Sequence, residues 1–241
     1  MKHSSRERLV VQPIIASKVI AMLASPSPDA DLGRVVEADP ALCAAVLRAA
    51  NATHLGHARR IGSVRQAMVM LGSDVTTALA AARAADLAFD ENPVLAPAWF
   101  WPHSLATAAA AASLARHGGT SVENAYTAGL LHDIGVLTGD GDADDDHAHR
   151  GADLLERWNI PEALVSAVRH HHDKPDAIID LLDRLVQAAQ TFAAEAGAGD
   201  GKTPLSVNEA LRLSGVTGVR PSIIVGDVQR DLARLASLES W

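Results

Sequence analysis

Apolar residues recur every three to four positions along most of this chain, and that spacing predicts helices. Ile14, Ile15, Val19 and Leu23 mark a first helix over 10–23, closed by Ser25-Pro26-Ser27-Pro28. A short helix over 31–38 leads to Asp39-Pro40, an N-cap with proline in the first helical position. The helix it opens carries Leu42, Ala45, Val46 and Ala49 and ends near Asn51. Ser63 precedes a helix bearing Val64, Ala67, Met68 and Leu71 that stops at Gly72, and another follows over 75–87. After Asn92, Pro93 and Pro97, helices are predicted over 102–117, 121–131, 147–159, 161–174, 181–194, 206–213 and 222–235. In the last, Ile224, Val228, Leu232 and Leu235 form an apolar stripe expected to pack on the rest of the molecule. Long β-branched alternations are missing, so the expected fold is all-α.

With 241 residues, 48% of them hydrophobic and only 3% aromatic, the chain can bury a large core built from small side chains. A formal net charge of −8 works against nonspecific binding to nucleic acid or an anionic membrane, and neither is an expected partner. Cys43 is the single cysteine, which excludes an intramolecular disulfide. The first eight residues lack the apolar core of a signal peptide, and no segment is apolar for long enough to span a bilayer, so the expected compartment is the cytoplasm. The basic residues His57, Arg59, Arg60 and Arg65 read as a solvated loop. The acidic run over 140–146 begins like a calcium loop, but Gly151 stands where its bidentate glutamate belongs, so it too reads as solvated.

The candidate chemistry centres on Leu130-Leu131-His132-Asp133-Ile134-Gly135. The apolar neighbours carry His132 and Asp133 into the core, where each needs a partner charge, a metal or hydrogen bonds. Gly135 suits a helix end that takes a left-handed residue. His103, His147, His171 and His172 are further candidates: on the helix over 161–174, periodicity turns His171 and His172 inward and points His170 to the surface. Neutral imidazoles with a carboxylate suit a divalent transition metal such as zinc, iron, manganese or nickel. The other reading is a structural cluster that joins helices through hydrogen bonds without metal.

Asp39-Pro40-Ala41-Leu42, the run Leu47 to Ala52, and Ile61-Gly62-Ser63-Val64 with Ala67, Leu71 and Gly72 resemble the N-terminal part of HDOD domains, a family of bacterial signalling modules. Leu130 to Gly135, His147 with Gly151-Ala152, Trp158 to Pro161 and His171-His172 extend that resemblance over about residues 10–200. It implies an N-terminal helical part over 10–92 and an HD-like part over 98–196, with C-terminal helices over 204–241 packing on the domain. The second part also resembles the HD superfamily of metal-dependent phosphohydrolases. That likeness implies a metal set of His103, His132 and Asp133, with Gln190 where an aspartate is expected, and a second set of His147, His171 and His172 bridged by Asp133. The neutral amide of Gln190 makes the second set the better place for an ion. In the HD-GYP branch, which opens cyclic di-GMP, a lysine stands where this chain has Val136, and Gly-Tyr-Pro where it has Lys174-Pro175-Asp176, which argues against that activity here. The resemblance implies a cytoplasmic regulatory module that binds a signalling protein partner or a small nucleotide-like ligand. The alternative is a metal-dependent phosphohydrolase acting on a nucleotide or phosphodiester, with Asp133 as the catalytic bridge.

Overall fold

The computed structural model describes residues 9–23, 29–52, 61–88, 96–138, 146–178, 180–202 and 205–236. The turn over 25–28, the basic loop residues His57, Arg59 and Arg60, the break at Asn92-Pro93 and the acidic run before Asp146 lie outside them. Among the described residues the regular structure is helical throughout, as the apolar spacing predicts. The N-terminal part holds α1 (Pro13–Leu23), α2 (Asp29–Glu37), α3 (Pro40–Ala52) and α4 (Val64–Ala88). The stop predicted at Gly72 is present inside α4: with φ 78° and ψ 167° the glycine leaves helical geometry, and a new helix begins at once.

Asp39 caps α3 as expected, accepting from the backbone N–H of Leu42 at 2.9 Å. It is fully buried and also accepts from the Gln12 N–H at 2.8 Å and from Trp101 Nε1 at 3.2 Å, so one carboxylate ties the N-terminal segment to two helices. Trp101 lies on α5 (Phe100–Gly118), which starts two residues before its predicted limit. Gly119 at φ 72° ends it, donating its N–H to the Ala115 carbonyl.

α5 is the alanine-rich centre of the molecule. It packs against α6 (Val122–Leu131), α9 (Leu181–Glu195) and α11 (Pro221–Ala236). The α5–α6 crossing is tight at Gly129, where a Cβ would come within 2.8 Å of both the Ala108 Cα and the Thr107 carbonyl oxygen. The larger core runs from Val19, Val36 and Leu47 in the N-terminal part to Leu130, Leu131, Ile134, Leu154 and Leu164. The smaller one joins α5 to α9, α10 (Val207–Ser214) and α11 through Leu114, Phe192, Ile224 and Val228. The predicted stripe on α11 is thus docked at Ile224 and Val228, with Leu232 partly buried against them. Asp227 secures this helix, accepting from Ser113 Oγ at 2.6 Å and from Arg116 at 3.3 Å.

Candidate metal centre

Four elements deliver the centre, each from a helix end. His103 sits in the first turn of α5, and His132 and Asp133 follow the last residue of α6. His147 opens α7 (His147–Arg157), while His171 and His172 follow α8 (Glu162–His170). Just beyond Asp133 the chain enters a 3-10 turn over Ile134–Thr138. Gly135 lies in that turn without a left-handed backbone, which corrects its expected role. Close approach explains it instead: a Cβ there would stand 1.9 Å from the His147 carbonyl oxygen and 2.7 Å from the Gly151 nitrogen. Gly151 answers from α7, where a Cβ would meet the Gly135 nitrogen at 2.9 Å. This backbone-to-backbone contact brings His147 beside Asp133.

Asp133 divides its carboxylate between two sets of rings. Its Oδ1 lies 3.1 Å from His147 Nε2 and 3.2 Å from His171 Nε2. Its Oδ2 lies 3.1 Å from His132 Nε2 and 3.8 Å from His103 Nε2. The rings also close on one another: His132 and His103 are 3.2 Å apart between Nε2 atoms, His147 and His171 3.3 Å, and His147 and His172 3.1 Å. Asp133, His103, His132, His147 and His171 are at most 2% exposed, and His172 is the exposed member.

Backbone carbonyls set the tautomers. His103 donates from Nδ1 to the Ala198 carbonyl at 2.9 Å, His132 to that of Gly129 at 2.8 Å, and His171 to that of Val168 at 2.6 Å. A neutral ring that donates from Nδ1 presents a bare lone pair at Nε2. Burial, outweighing the nearby Asp133, keeps His103 and His171 below the usual imidazole range; burial and then His171 push His172 down to about 3. At His103 and His171, kept neutral by burial while Nδ1 donates to a backbone carbonyl, Nε2 turns its lone pair towards the Asp133 oxygens at 3.8 and 3.2 Å, an arrangement that a cation resolves. Ligands held roughly 2.1 Å from one ion, at square to tetrahedral angles, stand about 3.0–3.4 Å apart. The donor set fits a divalent transition metal in two half-sites, Asp133-His147-His171-His172 and His103-His132-Asp133.

Two expectations need amendment. His170 points away from the centre, but it is not a free surface histidine: its side chain is 40% exposed and its Nδ1 lies 3.3 Å from Asp183 Oδ2 and 3.1 Å from Ser166 Oγ. Gln190, expected where an aspartate would complete a metal set, donates its amide N–H to the His171 carbonyl at 3.1 Å. Sequence reasoning missed Gln187, one helical turn before it, whose amide donates to the Asp173 carbonyl at 2.6 Å. The available signal was two amides, three residues apart, within the apolar run of α9.

A family model described as the HDOD domain matches residues 9–139, and one described as the HD domain matches residues 100–195. Ribonuclease Y of Desulfotalea psychrophila is 40% identical over 92 residues, which cover 38% of this chain and 17% of that protein. The corresponding protein of Thermus thermophilus is 38% identical over 92 residues, covering 38% and 16%. The chain thus spans less than a fifth of these curated relatives. The MmoQ response regulator of Methylococcus capsulatus superposes with a TM-score of 0.75 at 22% identity, over 91% of this chain and 98% of that one. A virulence factor of Campylobacter jejuni follows at 0.62 and 16%, over 94% and 96%. At these identities the two structures share the fold.

Proposed function

The chain belongs to the HDOD domain family, and from that premise we propose that it is a bacterial regulatory module whose buried histidine-aspartate centre holds a divalent metal to keep its helices in register. One observation carries this reading: imidazoles that donate from Nδ1 to backbone carbonyls crowd their Nε2 atoms around the buried Asp133 carboxylate at 3.1–3.2 Å. Asp133, His147, His171 and His172 are the leading ligand set, because they supply one anion and three imidazoles. The ion would join the ends of α6, α7 and α8, while signalling proceeds through a protein partner or a small ligand elsewhere. A cleft of about 850 Å³ among α2, α4, α5, α6 and α11 supports a small-ligand role. Its walls include Leu105, Tyr126 and the ion pairs Arg65–Glu37 and Arg116–Asp227.

A second reading, a metal-dependent phosphohydrolase, draws on the division of the Asp133 oxygens between two ring sets and on the exposure of His172. A bound ion would polarise a phosphoryl oxygen and lower the pKa of a bound water. In that case His103 and His132 would hold one side of the carboxylate, and His147, His171 and His172 the other. Elemental analysis of the purified protein, with turnover assays on phosphomonoesters and phosphodiesters, separates the readings. Bound zinc, iron, manganese or nickel that is lost in Asp133→Asn, without turnover, is the expected outcome. Metal-free protein that also fails to take up added metal would refute the centre, and turnover abolished by Asp133→Ala would establish the hydrolase.

A further inference from the structure

The two glutamines of α9 explain how His171 and His172 come to face Asp133. Gln190 Nε2 donates to the His171 carbonyl at 3.1 Å. Gln187 Nε2 donates to the Asp173 carbonyl at 2.6 Å and reaches the His171 carbonyl at 3.4 Å. Both glutamines are buried, at 4% and 5% exposure; their bonds to the His171 carbonyl are buried, and the one to exposed Asp173 is partly so. A carbonyl accepts and cannot donate, so the NH2 end of each amide must face it. Gln187 makes these contacts while its own Oε1 stays buried without a partner among the described residues. An apolar side chain of similar size would avoid that unpaired acceptor, so its placement points to the carbonyls on either side of His172.

From this we infer that Gln187 and Gln190 are positioning residues: together they clamp the backbone of the His171-His172-Asp173 turn and thereby aim two imidazoles at Asp133. Beyond His170, where α8 ends, the turn keeps one backbone bond, from the Asp173 N–H to the His170 carbonyl at 3.0 Å, and the two amides add bonds to the carbonyls of His171 and Asp173. The first turn residue is anchored at its ring, through Nδ1 to the Val168 carbonyl, and at its own carbonyl by Gln190. Exposed His172 lies between the two clamped carbonyls, with its Nε2 3.1 Å from His147 Nε2. Gln190 thus acts through the backbone of His171, whereas the family pattern would have its position act as a ligand. Where an ion is concerned, this inference rests on the metal reading above; the clamp itself does not.

The test uses Gln187→Leu and Gln190→Leu, each in the full chain. Imidazole nitrogen shifts of the metal-free proteins are read by NMR, followed by titration with cobalt(II) or zinc. The expected result without metal is a change in the His171 and His172 signals while those of His103 and His132 stay in place. With metal, affinity should fall about 10- to 100-fold, the range typical of lost outer-shell support. A lower melting temperature with unmoved His171 and His172 signals would overturn the clamp, as would unchanged metal affinity in a wild type that binds metal. A wild type that binds no metal refutes the metal reading alone, and the imidazole shifts then decide the clamp.

Discussion

At Gly135 one methyl group would decide whether the centre assembles. Its Cβ would stand 1.9 Å from the His147 carbonyl oxygen, and the obstacle is backbone that cannot rotate aside. Gly135→Ala should therefore push α7 away from the His132-Asp133 turn and cost about 3 kcal/mol or more, the upper end of overpacking. Gly119→Ala is the control: there a Cβ would meet nothing within 4 Å and only the φ of 72° is strained, for about 1–2 kcal/mol. Calorimetry on both variants checks the comparison. Equal losses would contradict the backbone-contact account, and metal content should fall in Gly135→Ala alone. Asp39→Ala should be costly for a different reason: it leaves the N–H groups of Gln12 and Leu42 and the Trp101 indole without their acceptor. Burial, partly offset by the Gln12 and Leu42 N–H groups, raises the Asp39 carboxyl above its usual range, so its role is to satisfy donors. A loss of at least about 2 kcal/mol in urea unfolding is expected.

Among the elements, α11 shows how one buried-edge carboxylate docks a whole helix. Asp227 is held by Ser113 and Arg116 of α5 and paired with Arg230 on its own helix. Burial would raise its carboxyl, but Ser113 and Arg116 outweigh that and keep it below the ordinary value of 3.8. A carboxyl with a depressed folded-state pKa contributes its stability above the unfolded-state value and loses it as pH falls through the folded-state value. The stability difference between the wild type and Asp227→Asn should thus be full above the ordinary carboxyl value of 3.8 and be lost as pH falls below it. Chemical denaturation across that range measures it. A difference that persists at the acid end would mean that Asp227→Asn disturbs the docking by something other than the lost charge.

For the whole molecule, the larger core runs without interruption from Leu9 and Val19 through Leu47 to Leu131, Leu154 and Val186, so the N-terminal and HD-like parts share buried surface. An excised fragment over 98–236 should expose the apolar face of α6 that packs on α3 and α4, and bind a hydrophobic dye that the full chain excludes. The metal acts at the same scale. An ion present at a hundredfold excess over its Kd adds about 2.7 kcal/mol, roughly 5–10 °C in Tm for a chain of this size. Chelation should lower the melting temperature by that amount in wild type and leave Asp133→Asn unmoved. Equal responses in the two proteins would place the chelator's effect elsewhere.

Periodicity and caps were sufficient to read the helices, because a 3.6-residue repeat and residues such as Asp39-Pro40 or Gly72 act locally. The histidines and Asp133 were legible as candidates because ionisable groups beside Leu130, Leu131 and Ile134 have no apolar role. What only the tertiary structure decided lies in contacts between distant segments. Gly135 could be noticed in the sequence, but its need is set by the His147 carbonyl and Gly151 across the fold, where backbone meets backbone. The division of the Asp133 oxygens and the shared Nδ1 tautomer depend on how four helix ends converge. The turn of Gln190 towards the His171 carbonyl has the same origin: an amide carries both donor and acceptor, and its neighbours determine which of the two is used.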